Sequence, residues 1–210
     1  MKQNAKMRLV IIGASGHGKV IADIAIKLNR YEEIVFLDDN TAIKECGGFP
    51  VVGKSTDFID YIEDSEFVVG IGNAKIRNRI MDMLNCESAT IATLVHPNSS
   101  IGQNVTIGEG TVIMAGSVIN SDSMIGKGCI INTCASVDHD CILEDYVHVA
   151  VGAHACGTVQ IGHHTWIGAG STVINNVSVC PECMIAAGAV VVKNIMENGT
   201  YVGVPARKDK

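Results

Sequence analysis

The chain has 210 residues and a formal net charge of −6, and 47% of its residues are hydrophobic whereas only 4% are aromatic. The acidic balance argues against a nucleic-acid-binding surface, which needs a basic patch, and no apolar run approaches the roughly 20 residues of a membrane span. With 22 glycines, the core must consist mainly of small aliphatic side chains, which favours short strands and tight turns.

The first half of the chain alternates strand-like and helix-like segments. The apolar run Leu9–Gly13 is too short for a signal peptide, so it predicts a first strand and a cytoplasmic protein. Residues 15–29 carry apolar side chains at helical spacing, and residues 33–40 form a second strand that ends at Asp38 and Asp39.

The next two segments are less regular. Residues 47–53 predict a short edge strand, because Pro50 cannot donate a ladder hydrogen bond. Residues 55–62 predict a short helix whose N-cap is Ser55 or Thr56.

The first domain is expected to end near residue 95. A strand, a helix and a last strand are predicted over 66–73, 74–85 and 89–96. Strands that alternate with helices predict a small parallel sheet with helices on its faces, over residues 1–95.

From Ile101 the hydrophobic period changes to six. Sixteen consecutive hexads, Ile101–Met196, have an aliphatic first residue and a small or branched fifth residue, with no insertion. Neither a helix nor an amphipathic strand has this period, whereas a hexapeptide repeat is the signature of a parallel β-helix. In such a β-helix three hexads make one coil. We predict a β-helix domain over residues 96–210, in which residues 203–210 leave the coil as a loop or tail.

The two halves together resemble one family of bacterial acetyltransferases. The resemblance rests on "GASGHG" (Gly13–Gly18), on "VDHD" (137–140) inside the repeats and on "GVPAR" (203–207), and it covers essentially the whole chain. The family includes UDP-4-amino-sugar N-acetyltransferases of the bacillosamine type and sialic-acid O-acetyltransferases. The resemblance implies a small α/β Rossmann-like domain, a left-handed parallel β-helix and a homotrimer that uses acetyl-CoA.

The strongest candidate for catalysis is His139. It is the third residue of its hexad, so its side chain should point outward, and Gly157, three hexads later, leaves space beside the ring. The family's catalytic His–acid pair matches His139 and Asp140; the alternative is a solvated surface histidine. The family acid is often glutamate, so how the shorter aspartate reaches the imidazole stays open, with Asp138 as the lesser candidate.

An imidazole beside a carboxylate suits acetyl transfer from a thioester. An amine or hydroxyl must lose a proton as it attacks, and a histidine can accept that proton near neutral pH. A backbone N–H from a neighbouring coil would hold the oxyanion. No nucleophile paired with a base is visible, so no acyl-enzyme is expected.

The glycine-rich segment Gly13–Gly18 lies where a strand turns into a helix, so its N–H groups can cradle a phosphate. Its spacing differs from the dinucleotide fingerprint, and a plain tight turn is the alternative. Asp38 and Asp39 end the second strand, where an acid can meet a ribose or base. We therefore interpret this half of the chain as a nucleotide-sugar-binding domain.

The resemblance implies further contacts. It assigns the UDP-sugar to Ser15, Gly16, His17, Asp38, Asp39 and Gly72. It places acetyl-CoA against His148, Ala169 and Ala187. Asn132 is a plausible substrate contact, Gly157 would line the cleft where pantetheine passes, and Arg207 could offset the phosphate charge at the nucleotide end of coenzyme A. A surface position is the alternative for His148.

The eight cysteines are interpreted as small buried side chains. Cys180 and Cys183 form one C-x-x-C, but a structural zinc site needs a second pair or histidines at ligand spacing. His154, His163 and His164 suggest the zinc site of γ-class carbonic anhydrases, which share this β-helix. Neighbouring histidines on a strand would point in opposite directions, so we predict no metal.

The predicted function is an acetyl-CoA-dependent N-acetyltransferase acting on the amino group of a UDP-linked amino sugar, with His139 as general base. A sialic-acid O-acetyltransferase is the nearest alternative. A non-catalytic β-helix regulatory module is an alternative of another class, and the His139–Asp140 pair argues against it.

Overall fold

The computed structural model describes residues 7–209, which divide into two compact units with the division between Pro97 and Asn98. Residues 1–6 and 210, which the predicted domains 1–95 and 96–210 include, lie outside the described residues. Within residues 7–209 no helix is long and apolar enough to cross a membrane.

The first unit is an α/β unit built on a six-stranded sheet. Its elements are β1 (Arg8–Ile12), α1 (Gly16–Leu28), β2 (Glu33–Leu37), β3 (Glu45–Cys46), β4 (Phe49–Gly53), a 3₁₀ helix (Ser55–Asp64), β5 (Ser65–Val69), α2 (Ala74–Cys86), β6 (Thr90–Ile91) and β7 (Leu94–Val95). The strand order is β3-β4-β2-β1-β5-β6, and every pair except β3-β4 is parallel. The predicted α/β alternation is confirmed.

Local sequence explains where the two α-helices begin. The Ser15 hydroxyl accepts from the Gly18 N–H at the start of α1, and the Asn73 side chain accepts from the Ile76 N–H at the start of α2. Helix α1 ends at Leu28 and is followed by the cap residue Asn29, which adopts the left-handed conformation that asparagine tolerates.

Two details of this unit differ from the predictions. Strand β4 is not the edge strand, because the two-residue β3 covers it and Pro50 lies opposite Glu45. The predicted helix over 55–62 is a 3₁₀ helix, and neither predicted cap residue caps it. The Ser55 hydroxyl instead donates to Asp39, 2.7 Å away, and the Asp57 carboxylate accepts the Lys54 N–H at 2.8 Å.

The second unit is a parallel β-helix of short strands. In chain order they are β8 (Ser100–Ile101), β9 (Thr106–Ile107), β10 (Val112–Ile113), β11 (Val118–Ile119), β12 (Met124–Ile125), β13 (Ile130–Ile131), β14 (Ser136–Val137), β15 (Ile142–Leu143), β16 (His148–Val149), β17 (His154–Ala155), β18 (Gln160–Ile161), β19 (Trp166–Ile167), β20 (Thr172–Val173), β21 (Ser178–Val179), β22 (Cys183–Ile185), β23 (Val190–Val191), β24 (Gly199–Val202) and β25 (Arg207–Lys208). Val112 pairs with Ile130 and Ile130 with His148, so residues 18 apart stack as predicted.

The strands form three faces. We call the sheet of β8, β11, β14, β17, β20 and β23 the second face; its strand β14 precedes His139, and β15, which follows His139, lies in another sheet. The first and fifth hexad residues point inward as predicted; Val137 and Cys141, for example, are fully buried. Buried hydroxyls at the fifth position donate to backbone carbonyls, such as Ser123 to Asp138 at 2.7 Å. These hydrogen bonds offset the cost of burying a polar group.

The prediction that residues 203–210 leave the coil as a loop or tail is confirmed for residues 203–206, which form a turn, and is wrong for residues 207–208, which form a strand on the sheet; residue 210 lies outside the described residues. Strand β24 continues the parallel ladder from β22, with Cys183 opposite Gly199, and β25 returns antiparallel on β24. The physical reason is that the last coil would otherwise expose an unpaired strand edge.

Candidate active site

Turns stack into columns along the edges of the β-helix. We call residues 103–104, 121–122, 139–140, 157–158 and 175–176 the histidine column, and residues 115–116, 133–134, 151–152, 169–170 and 187–188 the small-residue column. Within each column, every turn after the first donates a backbone hydrogen bond to the turn one coil earlier, as Thr158 does to His139. The two columns flank the second face.

His139 and Asp140 form a direct pair. The Nδ1 of His139 lies 2.7 Å from Oδ2 of Asp140, and more than half of each side chain is exposed. Asp140 has a φ of 58°, a left-handed conformation that turns its short side chain back beside the ring. This conformation answers how an aspartate reaches the imidazole. Because a carboxylate only accepts, Nδ1 donates, and the lone pair of the neutral ring is on Nε2.

Asp138 has a different role from Asp140. Its Oδ1 accepts the His139 backbone N–H at 2.9 Å and the Asn120 side-chain amide at 2.7 Å. Asp138 therefore fixes the backbone of the turn, whereas Asp140 contacts the ring.

Gly157 lies against the imidazole as predicted. A Cβ at Gly157 would be 2.6 Å from Nε2 of His139 and 2.7 Å from Cε1. The missing side chain is thus what lets the ring occupy its position.

The carboxylates around His139 change its titration. The hydrogen bond with Asp140 raises the pKa of His139 above its ordinary value, and the charge of Asp138 raises it further. Hydrogen bonds from Asn120 and from the His139 N–H lower the pKa of Asp138, so this carboxylate stays ionised near neutral pH.

A second group of predicted residues lies near the small-residue column. Asn132 Oδ1 accepts the Thr133 N–H at 2.8 Å, which directs its amide nitrogen to Nε2 of His148 at 3.2 Å. His148 is only 5% exposed, and its ring centroid is 4.1 Å from that of Trp166. The structure thus brings a predicted substrate contact and a predicted cofactor contact together.

Ala169 and Ala187 are exposed in the small-residue column, where the Gly188 N–H donates to the Ala169 carbonyl. They lie on a different edge of the β-helix from His139 and Gly157. Apart from Arg207, the predicted site residues of this unit therefore fall into two groups on the two sides of the second face.

Arg207 lies in β25 beside a pocket of about 310 Å³. Lys193 and Lys208 also line this pocket, which gives it three cationic side chains. Lys208 is paired with Glu197 at 3.1 Å.

In the α/β unit the glycine-rich segment joins β1 to α1. Oδ2 of Asp38 accepts the Ala14 N–H at 2.7 Å, and the Ser15 hydroxyl donates to the Gly70 carbonyl at 3.1 Å. A Cβ on Gly18 would be 2.3 Å from the Gly13 carbonyl oxygen, whereas one on Gly16 would meet no atom within 4 Å. Gly18 is therefore required by packing, and Gly16 faces open space.

The remaining predicted nucleotide-binding residues, Asp39, His17 and Gly72, interact with neighbouring side chains of the α/β unit. Asp39 accepts both the N–H and the hydroxyl of Ser55. Burial lowers the pKa of His17 to about 4, and the charge of Arg77 contributes, so His17 is neutral near pH 7. Arg77, 1% exposed, donates to the carbonyl of Gly72 at 2.9 Å.

Three of these side chains were not predicted from the sequence. Arg77 fixes the loop that contains Gly72, and Asn120 orients Asp138. On the second face, the Ser136 hydroxyl lies 2.8 Å from Nδ1 of His154. The sequence does contain a signal for the last two contacts, because their partners are 18 residues apart, which is one coil of the β-helix.

One predicted orientation is wrong. His163 and His164 are turn residues, not strand residues, so they do not point in opposite directions; their Nδ1 atoms are 3.0 Å apart. His154 lies on the second face, away from that turn. Among the described residues, no group of three or more His, Cys, Asp or Glu side chains is placed to hold a metal ion.

Comparison with known families matches both halves of the chain. The PglD N-terminal domain family matches residues 8–84, and the bacterial transferase hexapeptide family matches residues 92–121 and 158–193. The second match fits the left-handed β-helix that the resemblance implies.

Individual relatives extend the match to nearly the whole chain. GDP-perosamine N-acetyltransferase of Escherichia coli O157:H7 is 31% identical over 85% of this chain and 82% of that protein. UDP-N-acetylbacillosamine N-acetyltransferase of Bacillus subtilis (strain 168) is 34% identical over 49% of each. The acetyltransferase domain of PglB from Neisseria gonorrhoeae FA1090, solved with acetyl coenzyme A, is 38% identical with a TM-score of 0.93, covering 97% of this chain and 99% of that one. The chain therefore belongs to the family of hexapeptide-repeat sugar N-acetyltransferases with a PglD N-terminal domain.

Proposed function

We propose that the protein transfers the acetyl group of acetyl-CoA to the amino group of a nucleotide-linked amino sugar, with His139 as general base. The observation that carries this proposal is the His139–Asp140 pair, 2.7 Å apart, beside Gly157 on an open edge of the β-helix. The pair presents the Nε2 lone pair on a ring that is more than half exposed, with Gly157 beside it.

Direct attack on the thioester suits this site. As the sugar amine bonds to the acetyl carbon, Nε2 of His139 takes the amine proton, and coenzyme A leaves as the thiol. Asp140 holds the ring and stabilises the imidazolium that forms. A backbone N–H of a neighbouring coil would bind the oxyanion.

The donor would bind along the small-residue column. Ala169 and Ala187 present no bulky side chain there, and the PglB acetyltransferase domain binds acetyl coenzyme A with a closely similar fold. The pocket lined by Lys193, Arg207 and Lys208 suits the phosphates at the nucleotide end of coenzyme A.

The α/β unit would act as a Rossmann-like holder of the nucleotide. Gly16 leaves open space at the start of α1, where backbone N–H groups suit a diphosphate. Asp38 and Asp39 are engaged with Ala14 and Ser55, so we assign them to shaping this loop as well as to contacting the sugar nucleotide.

The proposal includes a homotrimer. His139 and the small-residue column lie on different edges of one β-helix, on the two sides of the second face. One donor molecule would contact both groups if the small-residue column of one copy faced His139 of a neighbouring copy. Such clefts between protomers are natural small-molecule sites.

An acceptor panel tests the substrate class. With acetyl-CoA, we expect thiol release in the presence of UDP-linked 4-amino-4,6-dideoxy sugars. A GDP-linked amino sugar is the second candidate, because the E. coli relative that covers most of the chain is a GDP-perosamine N-acetyltransferase. Thiol release would be followed with a chromogenic disulfide, and mass spectrometry of the product would show whether the new acetyl group is on nitrogen.

Two further acceptors are the controls of this panel. The matching 4-hydroxy sugar nucleotide should release no thiol, since it lacks the amine. Turnover of a free sialic acid, without turnover of any nucleotide amino sugar, would contradict the proposed acceptor.

Asp140→Asn tests the role of the carboxylate through pH. Because the hydrogen bond with Asp140 raises the pKa of His139, the substitution lowers that pKa. The base must be neutral, so kcat/KM falls as pH drops through the pKa, and we expect this acidic limb to move to lower pH in the variant. Asparagine tolerates the left-handed backbone at this position, so the turn should persist.

Asp122→Asn is the matched control, because Asp122 occupies the same turn position one coil earlier and binds Asn104 at 2.9 Å. Its pH profile should stay that of the wild type. Identical acidic limbs in the wild type and the Asp140 variant would show that the carboxylate does not set the pKa of the catalytic group.

A further inference from the structure

Cys180 and Cys183 lie on either side of one tight turn of the β-helix. Their sulfurs are 3.6 Å apart, and only Pro181 and Glu182 separate them in the chain. Glu182 has a φ of 58°, so this turn has the same left-handed fourth residue as the other turns.

The two thiols differ in accessibility. Cys183 is 2% exposed, at the fifth hexad position, and its N–H donates to the Thr165 hydroxyl at 3.2 Å. Cys180 is only half-buried. Like the buried thiol of Cys141, the Cys183 sulfur lies near backbone carbonyls, those of Pro181 at 3.8 Å and Glu197 at 3.7 Å. It differs from Cys141 because it also faces a second sulfur, that of Cys180.

We propose that Cys180 and Cys183 are a redox-active dithiol that a small-molecule disulfide converts to an intramolecular disulfide. In the first step the Cys180 thiolate attacks the reagent, forming a mixed disulfide and releasing one thiol. In the second step the Cys183 sulfur loses its proton, attacks the Cys180 sulfur and releases the second thiol. The protein loses two electrons and two protons, and the reagent gains them.

The geometry permits the bond with little movement. The Cα atoms at the two ends of a two-residue turn lie within about 7 Å, and disulfides span Cα distances of roughly 4.4–6.8 Å. The sulfurs must approach from 3.6 Å to about 2.05 Å, which side-chain rotation can supply.

The burial of Cys183 determines which of the two steps is slower. Burial, together with the hydrogen bond to Cys180, raises the pKa of the Cys183 thiol. The attack by Cys183 should therefore be the slow step near neutral pH and should accelerate as the pH rises, because the thiolate is the nucleophile.

The experiment must detect the covalent disulfide bond itself. A disulfide that closes so short a loop restricts the unfolded chain little, so a melting temperature would be a weak test. Cleavage after Trp166 and Tyr201 gives a segment, residues 167–201, that holds these two cysteines and none of the other six.

The experiment treats the full-length protein with oxidised glutathione, quenches with acid, alkylates under denaturing conditions and weighs segment 167–201. We expect a mass two hydrogens below that of the dithiol, with no alkyl groups added. Dithiothreitol should restore two alkylatable thiols. Formation should be faster at pH 8.5 than at pH 7.

Exposed Cys134 and the variant Cys180→Ser are the controls. Cys134 should carry glutathione, which shows that the oxidant acted, and in Cys180→Ser the buried Cys183 should remain a free thiol. Two alkylated thiols in segment 167–201, or glutathione retained on Cys180, in a sample whose Cys134 is modified would overturn the proposal. This result does not depend on acetyl transfer, so it stands apart from the proposed enzymatic function.

Discussion

Replacing His139 with alanine is expected to lower kcat by at least about a hundredfold, because general-base catalysis contributes roughly 10²–10⁴-fold. The loss should be specific to the reaction. More than half of the side chain is exposed, and its ring contacts Asp140 and Gly157 on the outside of the β-helix. Removing the ring opens no cavity in the core, so the folded structure should persist.

The measurement is steady-state acetyl transfer with the acceptor that the panel identifies, accompanied by circular dichroism to verify the fold. His163→Ala is the matched control. His163 also occupies the third hexad position and is exposed, but it lies on another turn, so its variant should keep wild-type turnover. Wild-type turnover in the His139 variant would instead make His139 a surface histidine.

The six-residue period predicted the β-helix well because it is a packing rule. A side chain at the first or fifth position must fit inside a narrow coil, and Val137, Cys141 and Ala155 do so with almost no exposure. The same rule placed His139 outside and Gly157 directly above it. This part of the candidate site follows from counting residues.

The period says nothing about φ, and that is where the predictions failed. The fourth hexad residue is left-handed throughout residues 101–190: six of these positions are glycine, and nine are other residues such as Asp140 and His164. Interpreting His163 and His164 as a strand gave the wrong orientation for both rings. The frequent glycine, asparagine and aspartate at this position was the signal that would have corrected it.

Long-range pairing explains the other differences. The sequence of residues 203–210 contains a proline and no hexad, yet β25 pairs with β24 at the end of the coil. Likewise, Ser55 has the composition of a helix cap, but Asp39 from an earlier strand end accepts its hydroxyl hydrogen. Tertiary hydrogen bonds of this kind override local propensity.

Gly157→Ala is expected to lower kcat about ten- to a hundredfold, since a misplacement of about 1 Å in a catalytic group can cost 10²-fold. The new Cβ would lie 2.6 Å from Nε2 of His139, so the ring must swing away and lose its 2.7 Å contact with Asp140. The backbone at Gly157 is not in the left-handed region, so alanine itself fits there without strain. Thermal unfolding should change little.

Gly108→Ala provides the contrast. A Cβ at Gly108 would lie 2.4 Å from the backbone nitrogen of Lys127, which cannot rotate away as a side chain can. That variant should therefore unfold at lower temperature, while its folded fraction keeps the wild-type kcat. The two glycines separate a steric effect on the catalytic ring from a steric effect on the coil.

The double variant His139→Ala/Gly157→Ala tests whether Gly157→Ala lowers kcat by displacing the imidazole of His139. If alanine at position 157 acts by displacing the ring, it has nothing to displace once His139 is gone, and the double variant should be as active as His139→Ala alone. The kinetic form of a double-mutant cycle measures this coupling directly. A loss from Gly157→Ala that is equally large in both backgrounds would mean that position 157 acts on a bound substrate through its own backbone, independently of His139.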